Sequence, residues 1–68
     1  MANIHVIIET IEGKEERATF SSDMFLRLPV IGEEICISSK DATGCITNIL
    51  HIPEDNEIII IAAEELCK

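Results

Sequence analysis

Two histidines, His5 and His51, are the only side chains of this 68-residue chain that could move a proton near neutral pH. Each alternates with isoleucines, valine or leucine, which is how a structural or rim histidine on a strand is spaced. A serine nucleophile needs a histidine base oriented by a third group. Ser38 and Ser39 instead stand beside Lys40 and Asp41 in what reads as an ordinary loop. Gly13, Gly32 and Gly44 lie too far apart to form a phosphate-cradling loop. Cys36, Cys45 and Cys67 are spaced 9 and 22 residues apart, with no Cys-x-x-Cys pair to build a zinc site. Asp55-Asn56 lacks the ligand spacing of a calcium loop. We therefore expect no enzyme, no metal and no cofactor.

Charge narrows the partners. Thirteen acids against five bases give −8, the wrong sign for gripping a nucleic-acid backbone. Tryptophan and tyrosine are absent, so grooves for proline-rich peptides, methyl-lysine cages and base-stacking platforms lack their materials. The acids gather at Glu9/Glu12, Glu15/Glu16, Glu33/Glu34, 54–57 and Glu64/Glu65, a pattern that reads as a solvated surface. The sharper alternative is mimicry of nucleic-acid phosphates against a basic partner. An anionic ligand would have to use Arg17, Arg27 and Lys40, joined by His51, at a junction between subunits.

The elements that must carry these residues are strands. Fourteen isoleucines dominate the apolar content, and β-branched side chains favour strand over helix. Residues 3–11 form the first strand, with a turn at 12–14 where Gly13 supplies a positive φ. Residues 15–20 return as its hairpin partner. The segment 21–32 is irregular: Ser21 or Ser22 caps a helical turn, and Met24, Phe25, Leu26 and Leu28 plug one barrel end. Pro29 stops that turn and Gly32 leads into strand three at 33–38. A polar loop at 39–44, strand four at 45–52, a turn at 53–56 and strand five at 57–63 follow. Residues 64–68 make a short tail of about one helical turn.

Five short strands in meander order predict an all-β chain, one SH3-like barrel over residues 1–68. An OB-like barrel is the alternative, but it usually places a helix between strands three and four. The predicted core is Val6, Ile8, Phe20, Ile35, Ile37, Ile49, Ile58 and Ile60. Cys36 and Cys45 flank the third turn; a cross-strand disulfide is geometrically possible, and two packed thiols are the expected arrangement.

One property goes beyond the fold. A small barrel strand should bury one face and wet the other, yet Ile7 and Ile11 oppose Ile4, Val6 and Ile8. Ile46, Leu50 and Ile52 oppose Ile49 and Cys45, and Ile59 and Ile61 oppose Ile58, Ile60 and Ala62. Either the irregular segment and tail cover this second face, or it joins copies of the chain. We expect a homo-oligomer, with Ile7, Ile46, Leu50, Ile59 and Ile61 at the interface. The longest apolar run, residues 58–63, is six long, against roughly 20 for a membrane span. The first residues have no signal-peptide pattern, and an odd thiol suits a reducing compartment. The expected location is the cytoplasm.

The stretch Leu28-Pro29-Val30-Ile31-Gly32-Glu33-Glu34-Ile35, followed by Gly44-Cys45-Ile46-Thr47-Asn48-Ile49-Leu50-His51, resembles small phage-encoded barrel proteins. The shared pattern is leucine-proline, two residues, glycine, an acid, any residue and an aliphatic, then an aliphatic-rich strand ending in histidine. It covers about a third of the chain. The resemblance implies an accessory or anti-defence factor that works by binding, and it assigns no active residue. Three functions are therefore in play. The first is an oligomeric binding protein that sequesters a host-defence factor or signalling nucleotide. The second is an acidic nucleic-acid mimic, and the third a structural assembly protein.

Overall fold

The computed structural model describes residues 2–66. Five strands run in chain order: β1 Asn3–Glu9, β2 Glu15–Ser21, β3 Glu34–Ile37, β4 Ala42–Ile52 and β5 Glu57–Ala63. They form one mixed sheet in the order β2-β1-β5-β4-β3, curled into a nearly closed SH3-like barrel. Every sequential hairpin pair is antiparallel, and β1 lies parallel to β5. That parallel pair follows from parity. In an up-and-down meander of odd strand number, the first and last strands point the same way when they meet. The seam lies between β2 and β3, where residues 22–33 cross.

The core is aliphatic throughout. Ile4, Val6, Ile8, Ile37, Ala42, Ile46, Ile58, Ile60 and Ala62 are buried, with Ala18, Phe20, Phe25, Ile35 and Ile49 packed against them. All eight predicted core residues lie in this set. The seam is filled by Phe25, whose ring meets Phe20 edge-on at 5.9 Å. Aromatic pairs favour that arrangement because ring edges are positive and faces negative. Met24 and Leu26, expected to share the plug, stand out in solvent instead.

Five strand boundaries differ from those read in the sequence: β2 ends one residue later, at Ser21, β3 is one residue shorter at each end, and the end of β1 and the start of β4 move further. β1 ends at Glu9, because Thr10 closes a turn on Lys14: its N–H donates to the Lys14 carbonyl at 2.7 Å. Ile11 thus sits exposed in that turn rather than on a strand face. β4 starts three residues early, at Ala42, and Gly44 lies inside it. A Cβ on Gly44 would come within 3.1 Å of Ala62 Cβ, the Ala63 carbonyl carbon and Ile8 Cγ2, so this glycine serves a close approach of strands. Between β3 and β4 there is a single 3-10 turn, Ser38–Lys40, closed by Asp41 at φ 53°. The OB-type helix is absent there. Ser21 precedes the 3-10 turn Ser22–Met24 without a side-chain capping bond.

Ile46 requires a further correction. A β-bulge between Ile46 and Asn48 inserts Thr47, so Ile46 pairs with Ala62 while Ile49 pairs with Ile60. Both therefore face inward, and Ile46 is 2% exposed. It belongs to the core and cannot serve as an oligomer contact.

Candidate functional site

β4 has eleven residues and β3 four, so the second half of β4 extends past the end of its neighbour. The crossing segment borders the space left over. Leu28, Pro29, Val30 and Ile31 face Ile49 and His51 of β4 and Ile58 and Ile60 of β5 across a cleft of about 590 Å³. Seven of these eight residues are apolar, and the polar one, His51, stands at the mouth. Leu28, Val30 and Ile31 are exposed, Ile31 to 62%. Pockets of this size and lining are the usual form of a small-ligand or peptide site.

A compact set of polar contacts holds the apolar lip in place. Glu33 receives both terminal nitrogens of Arg27, Nη1 on Oε1 at 2.8 Å and Nη2 on Oε2. The Val30 N–H donates to the same Glu33 Oε1 at 2.7 Å, and the Glu33 N–H donates back to the Val30 carbonyl at 3.1 Å. Gly32, at φ 96°, turns the chain so that its N–H reaches the Ile46 carbonyl at 2.9 Å. The Ile46 N–H in turn donates to the Glu33 carbonyl at 2.8 Å. The Arg27 hydrogen bonds, with the Val30 N–H, lower the Glu33 pKa from 4.5 to about 2, and the hydrogen bond from Arg27 to Glu33 raises that of Arg27.

The four residues expected to bind an anion do not converge. Arg17 is on β2, paired with Glu15 at 2.8 Å. Arg27 is engaged by Glu33. Lys40 lies among Glu12, Lys14, Glu16, Asp41 and Glu64 around a polar hollow, with Ala42 at the start of β4. Only His51 lines the apolar cleft. Within one chain these cations are dispersed, and Arg17 and Arg27 are each paired with a carboxylate.

The register brings together a group that the sequence left unlinked. Thr19 on β2 faces His5 on β1, and β5 begins beside them with Glu57. His5 Nδ1 shares a hydrogen bond with Thr19 Oγ1 at 3.1 Å, and Nε2 with Glu57 Oε2 at 3.0 Å. Carboxylate, imidazole and hydroxyl in a row are the parts of an acyl-transfer triad. Here the row lies on the open outer wall of the barrel, with the His5 side chain 33% exposed. It ties three strands together. The signal for it is pairing register, which cannot be read from spacing along one chain.

The second apolar face is present on that same wall. Ile7 adjoins Ile61, His5 adjoins Ile59, and Ile59 adjoins Leu50 across neighbouring strands. Ile7, Ile59 and Ile61 are half-buried by one another, whereas Leu50 is 46% exposed. A shallow hollow on this wall is bordered by His5, Ile7, Arg17, Thr19 and Ile59, with no residue of the crossing segment. The crossing segment thus borders the barrel end and does not line this hollow. Cys36 is an exposed free thiol and Cys45 is disulfide-bonded, so the expected pair of packed thiols does not form. Cys36 faces Thr43, not Cys45, in the register.

Among the described residues, no group of three or more His, Cys, Asp or Glu side chains could hold a metal ion, and no helix is long and apolar enough to cross a membrane. Comparison of the chain with protein-family models, curated proteins and solved structures gives no match.

Proposed function

We propose that this is a non-enzymatic, oligomeric binding protein that sequesters an apolar ligand or an apolar segment of a partner. The observation that carries the reading is the cleft under residues 28–31, whose walls are Leu28, Val30, Ile31, Ile49, Ile58 and Ile60. Burying apolar surface gains about 25 cal/mol per Å², and an exposed lip of this kind has that gain still to make. The likeness to small phage barrels that work by binding points the same way. A signalling nucleotide fits the geometry less well, since Arg17 and Arg27 are already paired and Lys40 lies in another hollow. The acidic surface leaves nucleic-acid mimicry as the second reading, with −8 as its support.

Native mass spectrometry of gently purified protein, followed by titration with the uncharged dye Nile red, tests the proposal. Saturable dye uptake by an assembly of several chains is expected. Val30→Asp and Ile31→Asp, at exposed positions of the lip, should abolish the uptake while the barrel stays folded. A bare single-chain mass at micromolar concentration, with no saturable uptake, overturns it. Steep salt-dependent capture of basic proteins would favour mimicry instead.

A further inference from the structure

Between residues 48 and 52, β4 has β5 on one edge, and no backbone hydrogen bond among the described residues occupies the other. The last bonds on that side belong to Ile46, whose N–H and C=O both go to the Gly32–Glu33 turn. Past the bulge, strand alternation turns the backbone groups of Ile49 and His51 to the same open side. The Ile49 N–H accordingly goes to the side chain of its own neighbour, Asn48 Oδ1, at 3.0 Å.

Natural sheets guard open edges with charges, prolines or bulges. β2 carries Glu15, Glu16 and Arg17, and β3 carries Glu34. β4 alone of the five strands has no Asp, Glu, Lys or Arg anywhere in its length. On a chain of −8, an uncharged strand edge is a surface that a second copy can approach with little repulsion.

We propose that residues 48–52 pair antiparallel with the same residues of a second copy, about a two-fold axis at Leu50. The proposal rests on the oligomeric part of the reading above and says where the copies meet. A two-fold contact needs a self-complementary surface, and a short uncharged strand set against itself is one. On the outer side, Leu50 meets the Leu50 of the second copy, with the Ile59 of each copy flanking that pair, so the exposed leucine is covered. On the inner side, Ile49 and His51 border the cleft, so pairing sets the two clefts side by side on the same face of one continuous sheet.

A charge-swap experiment decides it. Leu50→Lys and Leu50→Glu place like charges on the axis, and each alone should raise the dissociation constant by about tenfold or more. An equimolar mixture of the two variants should recover the wild-type mass by light scattering, because opposite charges then meet. In the wild type, amide exchange at His51 should slow as concentration rises, and in Leu50→Lys it should not. Circular dichroism checks that both variants keep the barrel. A wild-type mass of one chain overturns this pairing and the oligomeric reading together. A wild-type assembly that Leu50→Lys leaves intact, or that the mixture fails to restore, overturns the pairing alone.

Discussion

Ile46 and Ile49 are three residues apart on one strand, and both point into the barrel. The bulge at Thr47 makes this possible, and it leaves Leu50 on the outer wall beside Ile59. The two isoleucines and the leucine should therefore respond differently to truncation. Ile46→Ala should cost about 2–5 kcal/mol in urea unfolding, as buried large-to-small changes do. At concentrations where the chain is a monomer, Leu50→Ala should cost less than about 1 kcal/mol, the range of an exposed substitution. Equal losses at the two positions would mean that the bulge has been placed wrongly.

Gly44→Ala probes the close approach of β4 and β5. All three atoms that the new Cβ would meet are at 3.1 Å, two of them on the β5 alanines and one on Ile8. None is the end of a long flexible side chain, so the strands themselves must shift. A loss of about 1–3 kcal/mol, the usual cost of overpacking, is expected in thermal or denaturant melts.

The lip should answer to acid in a defined window. Glu33 has a folded pKa near 2 against an ordinary 4.5, because its ionised form holds Arg27 and the Val30 N–H. A lowered carboxyl pKa stabilises the fold above the unfolded value, and that contribution is lost as pH falls through the folded value. Residues 27–33 should thus stay ordered at pH 5 and loosen between about 4.5 and 2. Amide exchange at Val30 measures this. In Arg27→Ala the loosening should begin at higher pH, and an unchanged profile would remove Arg27 as the cause.

The Thr19–His5–Glu57 row should be structural. Glu57→Gln and Thr19→Ala should each change stability by no more than about 1 kcal/mol, as part-exposed polar contacts do. Hydrolysis of p-nitrophenyl acetate should match free imidazole and be unaffected by Thr19→Ala. Saturable turnover lost in that variant would contradict the non-enzymatic reading.

Ile59→Lys should weaken self-association and leave the barrel folded. The residue lies on the outer wall between His5 and Leu50, and its side chain reaches no core position. Light scattering coupled to size exclusion reads the mass. An unchanged assembly would show that this wall takes no part.

Much of the barrel was legible because strand residues announce themselves locally. Isoleucine alternation located all five strands, and it identified Val6, Ile8, Ile37, Ile58 and Ile60 as buried. Alternation places Ile46 on the outer face because it assumes an unbroken period of two, and a bulge breaks that period without any residue that marks it. Gly44 reads as loop for a related reason: glycine signals a turn or a tight approach equally, and only the partner strand decides between them. In the sequence, Leu28, Pro29, Val30 and Ile31 read as part of a plug or a backbone pattern. Their role as a lip depends on β4 extending beyond β3, a length difference that appears only once the strands are paired. The dispersal of Arg17, Arg27 and Lys40 was equally hidden, since each sits on a different element.

The parallel pairing of β1 with β5 also governs how the chain comes to be folded. Asn3 meets Glu57, a separation of 54 residues in a chain of 68. Contacts so distant in sequence carry a loop-closure cost that local hairpins do not, which slows folding toward milliseconds or longer. During synthesis the first hairpin must therefore wait, its isoleucines uncovered, until the last strand has emerged. A chain stopped before residue 57 lacks the strand that joins the β1–β2 and β3–β4 hairpins, and isolated hairpins are marginal in water. Such a fragment should expose its aliphatic faces to other chains instead of accumulating as a smaller folded protein.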